Sequence, residues 1–294
     1  MITSLEYASL SNQTYHPNDK PSTGMIINPY IKKMTVAADY SGWYEITDLD
    51  DFMHPSNPFF AQLYVKYFNG TATDAVVAFR GTVLDCLDND IVDYQSWCSD
   101  FIEFGKHDKT PAYYPQALFF YHDARHYAQE HFNLLHINTT GHSLGGAIAQ
   151  LISAHGLPAT AVSFNSPGIG HLPSLIHGQA GRVHAINSRY GFINKISKHF
   201  GQVSYINVPN KEKQAKQAFD DFEQEQNTQH KLAQADSDDD QYKYAAELLL
   251  ENYCYDARDA ADITTSIAAQ HSMEHLITAM NEENNAVIAQ HVYI

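Results

Sequence analysis

The chain has 294 residues, of which 44% are apolar, and this is enough to bury a sizeable core in a single domain spanning residues 1–294. Its 34 acidic and 18 basic residues give a formal net charge of −16. This balance excludes the broad basic face that nucleic acids and anionic membranes require, so we expect no nucleic-acid partner. Three scattered cysteines are too few for a disulfide framework or a zinc site, and we expect no metal.

The N-terminal residues contain no basic segment followed by an apolar one, as a secretory signal would. No stretch of the sequence reaches the roughly 18 apolar residues of a membrane-spanning helix. We therefore expect a soluble protein that is cytoplasmic, or that is exported by a route needing no N-terminal signal peptide.

Apolar runs alternate with helical patterns between residues 59 and 208. This alternation predicts an α/β fold, with a mostly parallel central sheet and helices on both faces. The near-continuous apolar run at residues 75–79 predicts a strand buried on both faces. Helices are predicted over residues 112–132 and from Ser143 onward, because apolar side chains recur there at helical spacing. Four further strands are predicted, at residues 134–140, 159–164, 182–186 and 203–208.

The composition changes in residues 209–262, which are rich in Gln, Glu, Asp, Lys and Ala. This segment predicts a C-terminal helical insertion, with two solvated helices joined by the acidic run at residues 236–240. A calcium loop is the alternative for that run. The required spacing, with a central Gly and a terminal Glu, is missing, so a solvated turn is favoured.

The sequence from Gly141 to Gly145 matches G-x-S-x-G and lies between a predicted strand and a predicted helix. A side chain at either glycine would collide with neighbouring backbone, and the turn between them is strained. The helix N-terminus offers unpaired N–H groups, with that of Leu144 nearest to a developing oxyanion. The pattern predicts Ser143 as a nucleophile. Alternatively, the glycines serve only to let a helix pack close to a strand.

Four sequence blocks occur in order: V-A-F-R-G-T at residues 77–82, S-W-C-S-D-F at 96–101, G-H-S-L-G-G at 141–146 and S-F-N-S-P-G at 163–168. Together they resemble the class 3, or fungal-type, lipases of the α/β-hydrolase superfamily. The resemblance covers roughly residues 75–208, with a weaker match near residue 271. It implies an α/β-hydrolase fold, no cofactor, a lipid or other ester as substrate, and an oxyanion hole formed by the N–H groups of Thr82 and Leu144.

The catalytic base of an α/β hydrolase follows the nucleophile and the acid along the chain. His271, His275 and His291 satisfy this order. His271 lies in a predicted loop before an apolar helix pattern and resembles the late histidine of the family, so it is favoured, with His275 as the main alternative.

The acid position departs from the family pattern. Asn194 occupies the expected Asp position, whereas a gapless alignment places Tyr190 there, and residues 162–211 contain no Asp or Glu. An Asn carbonyl can orient an imidazole but cannot offset the charge of the imidazolium. Either turnover is slow, or a carboxylate enters from the preceding insertion, where the candidates are Asp256, Asp259 and Asp262.

Residues 83–111 follow the oxyanion block, where the family has its lid. Leu84, Leu87 and Ile91 share one helical stripe, which suits either a mobile lid or a static cover. A mobile lid would allow transient contact with a membrane or micelle surface.

The leading hypothesis is therefore a serine hydrolase that cleaves carboxylic esters of lipids, as a lipase or phospholipase does, through an acyl-enzyme on Ser143. One alternative is an acyltransferase that uses the same site. Another is a catalytically weak or inactive α/β hydrolase that binds a lipid or a protein, which the missing carboxylate favours.

Overall fold

The fold is taken from a computed structural model. The residues that it describes are 2–15, 27–28, 42–46, 49, 59–81, 110–111, 113–191, 193–209, 216–217, 220, 224 and 272–283. The lid segment 83–111, apart from residues 110 and 111, and most of the 209–262 insertion lie outside these residues.

Among the described residues, eight strands form one sheet in the order in which they occur in the chain. Strand β3, the third in the sheet, pairs antiparallel with β2 and β4, whereas all other neighbours pair in parallel. The strands are β1 (Ile27–Asn28), β2 (Gly42–Ile46), β3 (Ala61–Phe68), β4 (Thr71–Phe79), β5 (Asn138–His142), β6 (Ala161–Phe164), β7 (Val183–Ser188) and β8 (Gln202–Ile206).

Helices cover both faces of this sheet. On one face α2 (Tyr114–Phe132) and α3 (Leu144–Ala154) pack into an apolar cluster with Val77 and Phe79 of β4. On the other face α1 (Ser4–Gln13) and α4 (Met273–Glu283) pack with Val76 and Ala78 of β4. The predicted α/β class, with a mostly parallel sheet between two layers of helices, is confirmed.

β4 is longer than the apolar run that predicts it. The strand begins at Thr71, because a two-residue turn at Asn69 and Gly70 joins it to β3. Both turn residues have positive φ, 49° and 75°, as a tight hairpin turn requires. Residues 71–74 face solvent more than residues 75–79 do, so the apolar pattern begins later than the strand does.

The predicted strand at residues 134–140 is wrong at its start, since β5 begins only at Asn138. Helix α2 ends at Phe132, and its C-cap residue Asn133 has a left-handed φ of 57°. The N–H of Leu134 then bonds back to the carbonyl of Ala128, 3.1 Å away. Leu134 thus closes the end of the helix and packs on its apolar cluster, whereas Leu135 is exposed, before the chain enters the sheet.

Helix α1 was not predicted, although its sequence carries a capping signal. Thr3 caps the helix and the side chain of Glu6 bonds back to the Thr3 N–H, 2.8 Å away. The other oxygen of Glu6 accepts hydrogen bonds from Lys66 Nζ at 2.6 Å and Trp43 Nε1 at 3.0 Å. These bonds fix α1 to β2 and β3.

None of the helices in the described ranges is long and apolar enough to cross a membrane.

The Glu6 cluster predicts a pH-dependent contribution to stability. Burial alone would raise the pKa of Glu6, but its bonds to Lys66, Thr3 and Trp43 together hold that pKa below the ordinary value. The stabilisation is therefore complete above the ordinary pKa of a glutamate and is lost as the pH falls through the lowered pKa of Glu6. We expect Glu6→Gln to lower the free energy of unfolding by about 1–3 kcal/mol at pH 7, and the difference to shrink as the pH falls through that lowered pKa.

Urea unfolding between pH 3 and pH 7 measures this effect. The exposed Glu130, which pairs with His126 on α2, provides the control. Glu130→Gln should change the free energy of unfolding by less than about 1 kcal/mol at any of these pH values. An equal effect of the two substitutions would contradict the prediction.

Candidate active site

Ser143 lies on the turn between the carboxyl end of β5 and the start of α3. Its backbone has φ 59° and ψ −132°, a conformation that costs a non-glycine residue about 1–3 kcal/mol. Its N–H donates to the carbonyl of Phe164 at the end of β6, 3.0 Å away. The serine is thus held on a strained strand-to-helix turn at the carboxyl edge of the sheet.

The two glycines of the turn allow backbone segments to touch. A Cβ at Gly141 would overlap the carbonyl group of Gly145, and a Cβ at Gly145 would overlap the carbonyl oxygen of Phe79. The backbone of Arg80 and Gly81 also lies within 3 Å of the latter position. The collision predicted for a side chain at either glycine is confirmed.

The first turn of α3 supplies hydrogen-bond donors beside Ser143. Leu144 is the first residue of the helix, so no carbonyl of a preceding helical turn can accept its N–H. No acidic residue in this turn offsets the positive end of the helix dipole. The arrangement favours negative charge next to the serine, as an oxyanion hole requires.

The second predicted donor, Thr82, lies outside the described residues, but the preceding Gly81 is described. A Cβ placed on Gly81 would lie 2.9 Å from Ser143 Cβ and 2.6 Å from the carbonyl oxygen of His142. The chain leaving β4 therefore passes directly against the turn that holds Ser143.

Sequence reasoning missed Tyr15, which follows α1 and reaches the same place. The N–H of Gly81 donates to the Tyr15 hydroxyl oxygen at 3.0 Å, and that hydroxyl lies 3.0 Å from His142 Nδ1. The two rings meet edge to face, with centroids 5.6 Å apart. Burial raises the pKa of Tyr15 above its ordinary value, so the phenol keeps its proton.

A buried polar network supports the turn from behind. Gln150 of α3 donates to Ser166 Oγ at 2.8 Å and to the carbonyl oxygen of Pro167 at 3.1 Å. Ser166 Oγ in turn donates to Ser163 Oγ at 3.0 Å. The network ties the loop after β6 to α3. Ser163, Ser166 and Pro167 belong to the S-F-N-S-P-G block, whereas the sequence analysis singled out no role for Gln150.

Asn194 is fully buried in a short helical turn, Ile193–Lys195, that follows β7. Its Nδ2 donates to the carbonyl oxygen of Ser188 at 2.9 Å, which fixes the amide. Its Oδ1 is buried and meets no hydrogen-bond donor among the described residues. Leaving such an acceptor unpaired costs about 1–3 kcal/mol.

His199 holds the same turn through its backbone. Its Nε2–H donates to the carbonyl oxygen of Asn194 at 2.8 Å. Burial lowers the pKa of His199, although this bond opposes the shift, so the ring is neutral at pH 7. The turn that carries Asn194 is therefore fixed at two points.

Of the other predicted site residues, the structure describes only Tyr190 and His275. Tyr190, the alternative at the acid position, is half-buried and packs against the apolar cluster of α2 and α3. His275 lies half-buried on α4, with its N–H 3.5 Å from Ser272 Oγ. His271, His291 and the three Asp candidates of the insertion lie outside the described residues. Within those residues, no group of three or more His, Cys, Asp or Glu side chains is placed to hold a metal ion.

No protein-family model matches the chain, and no curated protein matches it in sequence. Similar solved structures include the nonglycosylated LIP2 lipase of Yarrowia lipolytica, with a TM-score of 0.42 and 16% identity over 70% of this chain and 79% of that chain. A mutant form of MDLA from Penicillium cyclopium has a TM-score of 0.40 and 15% identity, over 70% of this chain and 77% of that chain. At this level of similarity, function has to be argued from the geometry of the site itself.

The backbone contacts of Gly145 predict a large effect of a single methyl group. We expect Gly145→Ala to lower the free energy of unfolding by at least about 1–3 kcal/mol, because the new Cβ meets backbone that cannot rotate away. Urea unfolding of the purified variant measures the loss. Gly181→Ala is the matched control, since a Cβ there meets nothing within 4 Å. Equal stability of the two variants would show that α3 can move away from β4 at little cost.

Proposed function

We propose that the protein is a serine hydrolase that cleaves carboxylic esters of lipids through an acyl-enzyme on Ser143. The observation that carries this proposal is the strained backbone of Ser143 at the start of α3. Strain at a helix N-terminus, supported by close backbone contacts on both sides, suits a serine that has to be presented to a carbonyl carbon.

In the proposed reaction, Ser143 Oγ attacks the ester carbonyl while His271 takes its proton. The N–H groups of Leu144 and Thr82 bind the oxygen that becomes negative. His271 then gives the proton to the leaving alcohol. Water completes the cycle by the same steps, releasing the carboxylic acid and freeing Ser143.

Asn194 is proposed to orient His271 through its Oδ1. The support is that this oxygen is buried without a donor among the described residues, while the Nδ2 of the same amide is held by Ser188. The amide would fix the tautomer of the imidazole but would not balance its positive charge. The proposal therefore includes a lower turnover than a carboxylate would give.

Lipid esters are proposed as the substrate class because of the sequence blocks described above, and residues 83–111 are proposed as the cover of the site.

A second candidate function is that of a binding module with an unreactive serine. The absence of a carboxylate at residue 194 favours it. Reactivity of Ser143 decides between the two.

A fluorophosphonate probe should label Ser143 covalently, because a serine paired with an imidazole is activated whereas an ordinary serine is not. The labelled peptide can be identified by mass spectrometry. We expect Ser143→Ala to abolish the labelling and to reduce ester hydrolysis by several orders of magnitude. Ser153→Ala is the control on the same helix, since the Ser153 hydroxyl bonds to the carbonyl of Ala159 and not to the site. Labelling that is absent, or unchanged by Ser143→Ala, would favour the binding module.

The amide at the acid position predicts a gain of function. We expect Asn194→Asp to raise kcat by about 10- to 1,000-fold, because a carboxylate stabilises the imidazolium. The gain is smaller than the full effect of a carboxylate, because the new oxygen faces the Ser188 carbonyl that now accepts the amide N–H. Steady-state hydrolysis of a soluble ester measures it.

The same substitution in a His271→Ala background provides the control. Since residues of a triad act as a unit, Asn194→Asp should then have no effect. A gain that persists would assign the base to another histidine, such as His275. A flat or lower turnover in the His271 enzyme would mean that a carboxylate from elsewhere already fills the position, because two adjacent carboxylates cannot both stay charged.

A further inference from the structure

The Tyr15 hydroxyl joins the two segments that carry the donors of the proposed oxyanion hole. We propose that Tyr15 is a positioning residue, whose hydroxyl holds the end of β4 at Gly81 against the turn that carries Ser143 and the Leu144 N–H. The inference rests on the proposed hydrolase function and assigns a role to a residue far from the sequence blocks that suggested it.

The phenol makes two hydrogen bonds. Its oxygen accepts the Gly81 N–H at 3.0 Å, and it lies 3.0 Å from His142 Nδ1. Burial keeps the phenol protonated, so the hydroxyl donates to Nδ1 in the tautomer of His142 that carries its proton on Nε2. In the other tautomer Nδ1–H donates to the phenol oxygen, and the link between the two segments is the same.

Each hydrogen-bond partner of the phenol lies just before one of the proposed oxyanion donors in the sequence. Gly81 precedes Thr82 by one residue, and His142 precedes Leu144 by two. Gly81 is joined to Thr82 by one peptide bond, so any shift of Gly81 carries the Thr82 nitrogen with it. His142 is the residue before Ser143, and Leu144 follows. A single hydroxyl thereby links the end of β4 to the turn after β5.

The space at this point leaves little freedom for any of the segments. A Cβ on Gly81 would lie 2.6 Å from the Tyr15 oxygen, 2.6 Å from the carbonyl oxygen of His142 and 2.9 Å from Ser143 Cβ. The absence of a side chain at Gly81 is what allows the three segments to meet. Loss of the phenol oxygen would leave the Gly81 N–H without its acceptor and allow the end of β4 to shift.

Tyr15 is mounted on a well-anchored element. Its N–H donates to the carbonyl of Asn12 at 3.1 Å, which continues the last turn of α1. Helix α1 is itself packed against β4, β6 and α4 through Tyr7, Ala8 and Leu10, and is fixed to β2 and β3 by Glu6. The phenol is therefore a fixed reference against which the two turns are aligned.

Misalignment of the two N–H groups should affect the transition state more than the bound substrate. Their hydrogen bonds strengthen as negative charge develops on the carbonyl oxygen, whereas the acyl chain is bound elsewhere by apolar contacts. We expect Tyr15→Phe to lower kcat by about 10- to 100-fold and to leave KM within about threefold. Hydrolysis of p-nitrophenyl butyrate by the full chain measures both quantities.

Tyr121→Phe is the matched control. Its buried hydroxyl donates to the carbonyl of Ile137 at 3.3 Å, before the amino end of β5 and so at the opposite edge of the sheet. We expect this variant to keep wild-type kcat, and the two variants to have similar thermal midpoints. The affinity for phenylboronic acid, which forms a tetrahedral adduct on the serine, should fall in Tyr15→Phe by the same factor as kcat. It should be unchanged in Tyr121→Phe.

His142→Leu keeps the bond between the phenol and Gly81 but removes the link to the turn of Ser143. Its kcat should fall between those of Tyr15→Phe and Tyr121→Phe. If Tyr15→Phe does not fold, the kcat of His142→Leu tests the positioning role of Tyr15. Wild-type kcat in His142→Leu, or equal kcat and boronate affinity in the two tyrosine variants, would overturn the inference alone. A wild-type protein that neither reacts with fluorophosphonate at Ser143 nor hydrolyses the ester would overturn the proposed function, and the inference with it.

Discussion

Backbone contact between the end of β4 and the first turn of α3 is the constraint on which the site depends. It exists because Gly145 has no side chain where the carbonyl of Phe79 and the backbone of Arg80 and Gly81 lie. The contact brings the N-terminus of α3 to the carboxyl edge of the sheet. There the unpaired N–H groups of the helix and the chain leaving β4 lie on either side of Ser143.

The strained conformation of Ser143 persists because its surroundings are rigid. Every residue of α3 is buried, the Ser143 N–H is bonded to the end of β6, and Gln150 ties the helix to the loop that follows that strand. The cost of the positive φ, about 1–3 kcal/mol, is offset by these contacts. The same rigidity suits a group that must meet a substrate in one orientation.

The polar groups around the site are mostly neutral amides and hydroxyls, although the chain as a whole carries a net charge of −16. Residues 162–211, which include the loops after β6 and β7, contain no Asp or Glu. Among the described residues, the first turn of α3 also carries no acidic side chain, so the positive end of the helix dipole lies beside Ser143 and favours an anion. The Oδ1 of Asn194, on the turn after β7, is likewise a neutral acceptor, buried and without a donor among the described residues.

The sequence by itself determined the fold class, the strand at residues 75–79, the helices at α2 and α3, and the turn at Ser143. Each of these follows from local periodicity or from glycines a few residues apart, which can be recognised without knowing the tertiary contacts. The start of β5 shows the limit of such patterns, because the apolar residues before Asn138 follow the end of α2 instead of extending the strand. The role of α1 and the placement of Tyr15 were decided only by the tertiary structure. The phenol meets Gly81 and His142 across 66 and 127 residues of chain, and a hydrogen bond over such separations leaves no periodic trace. The orientation of the Asn194 amide likewise depends on the carbonyl of Ser188, a backbone atom that every residue type possesses and that sequence therefore cannot identify.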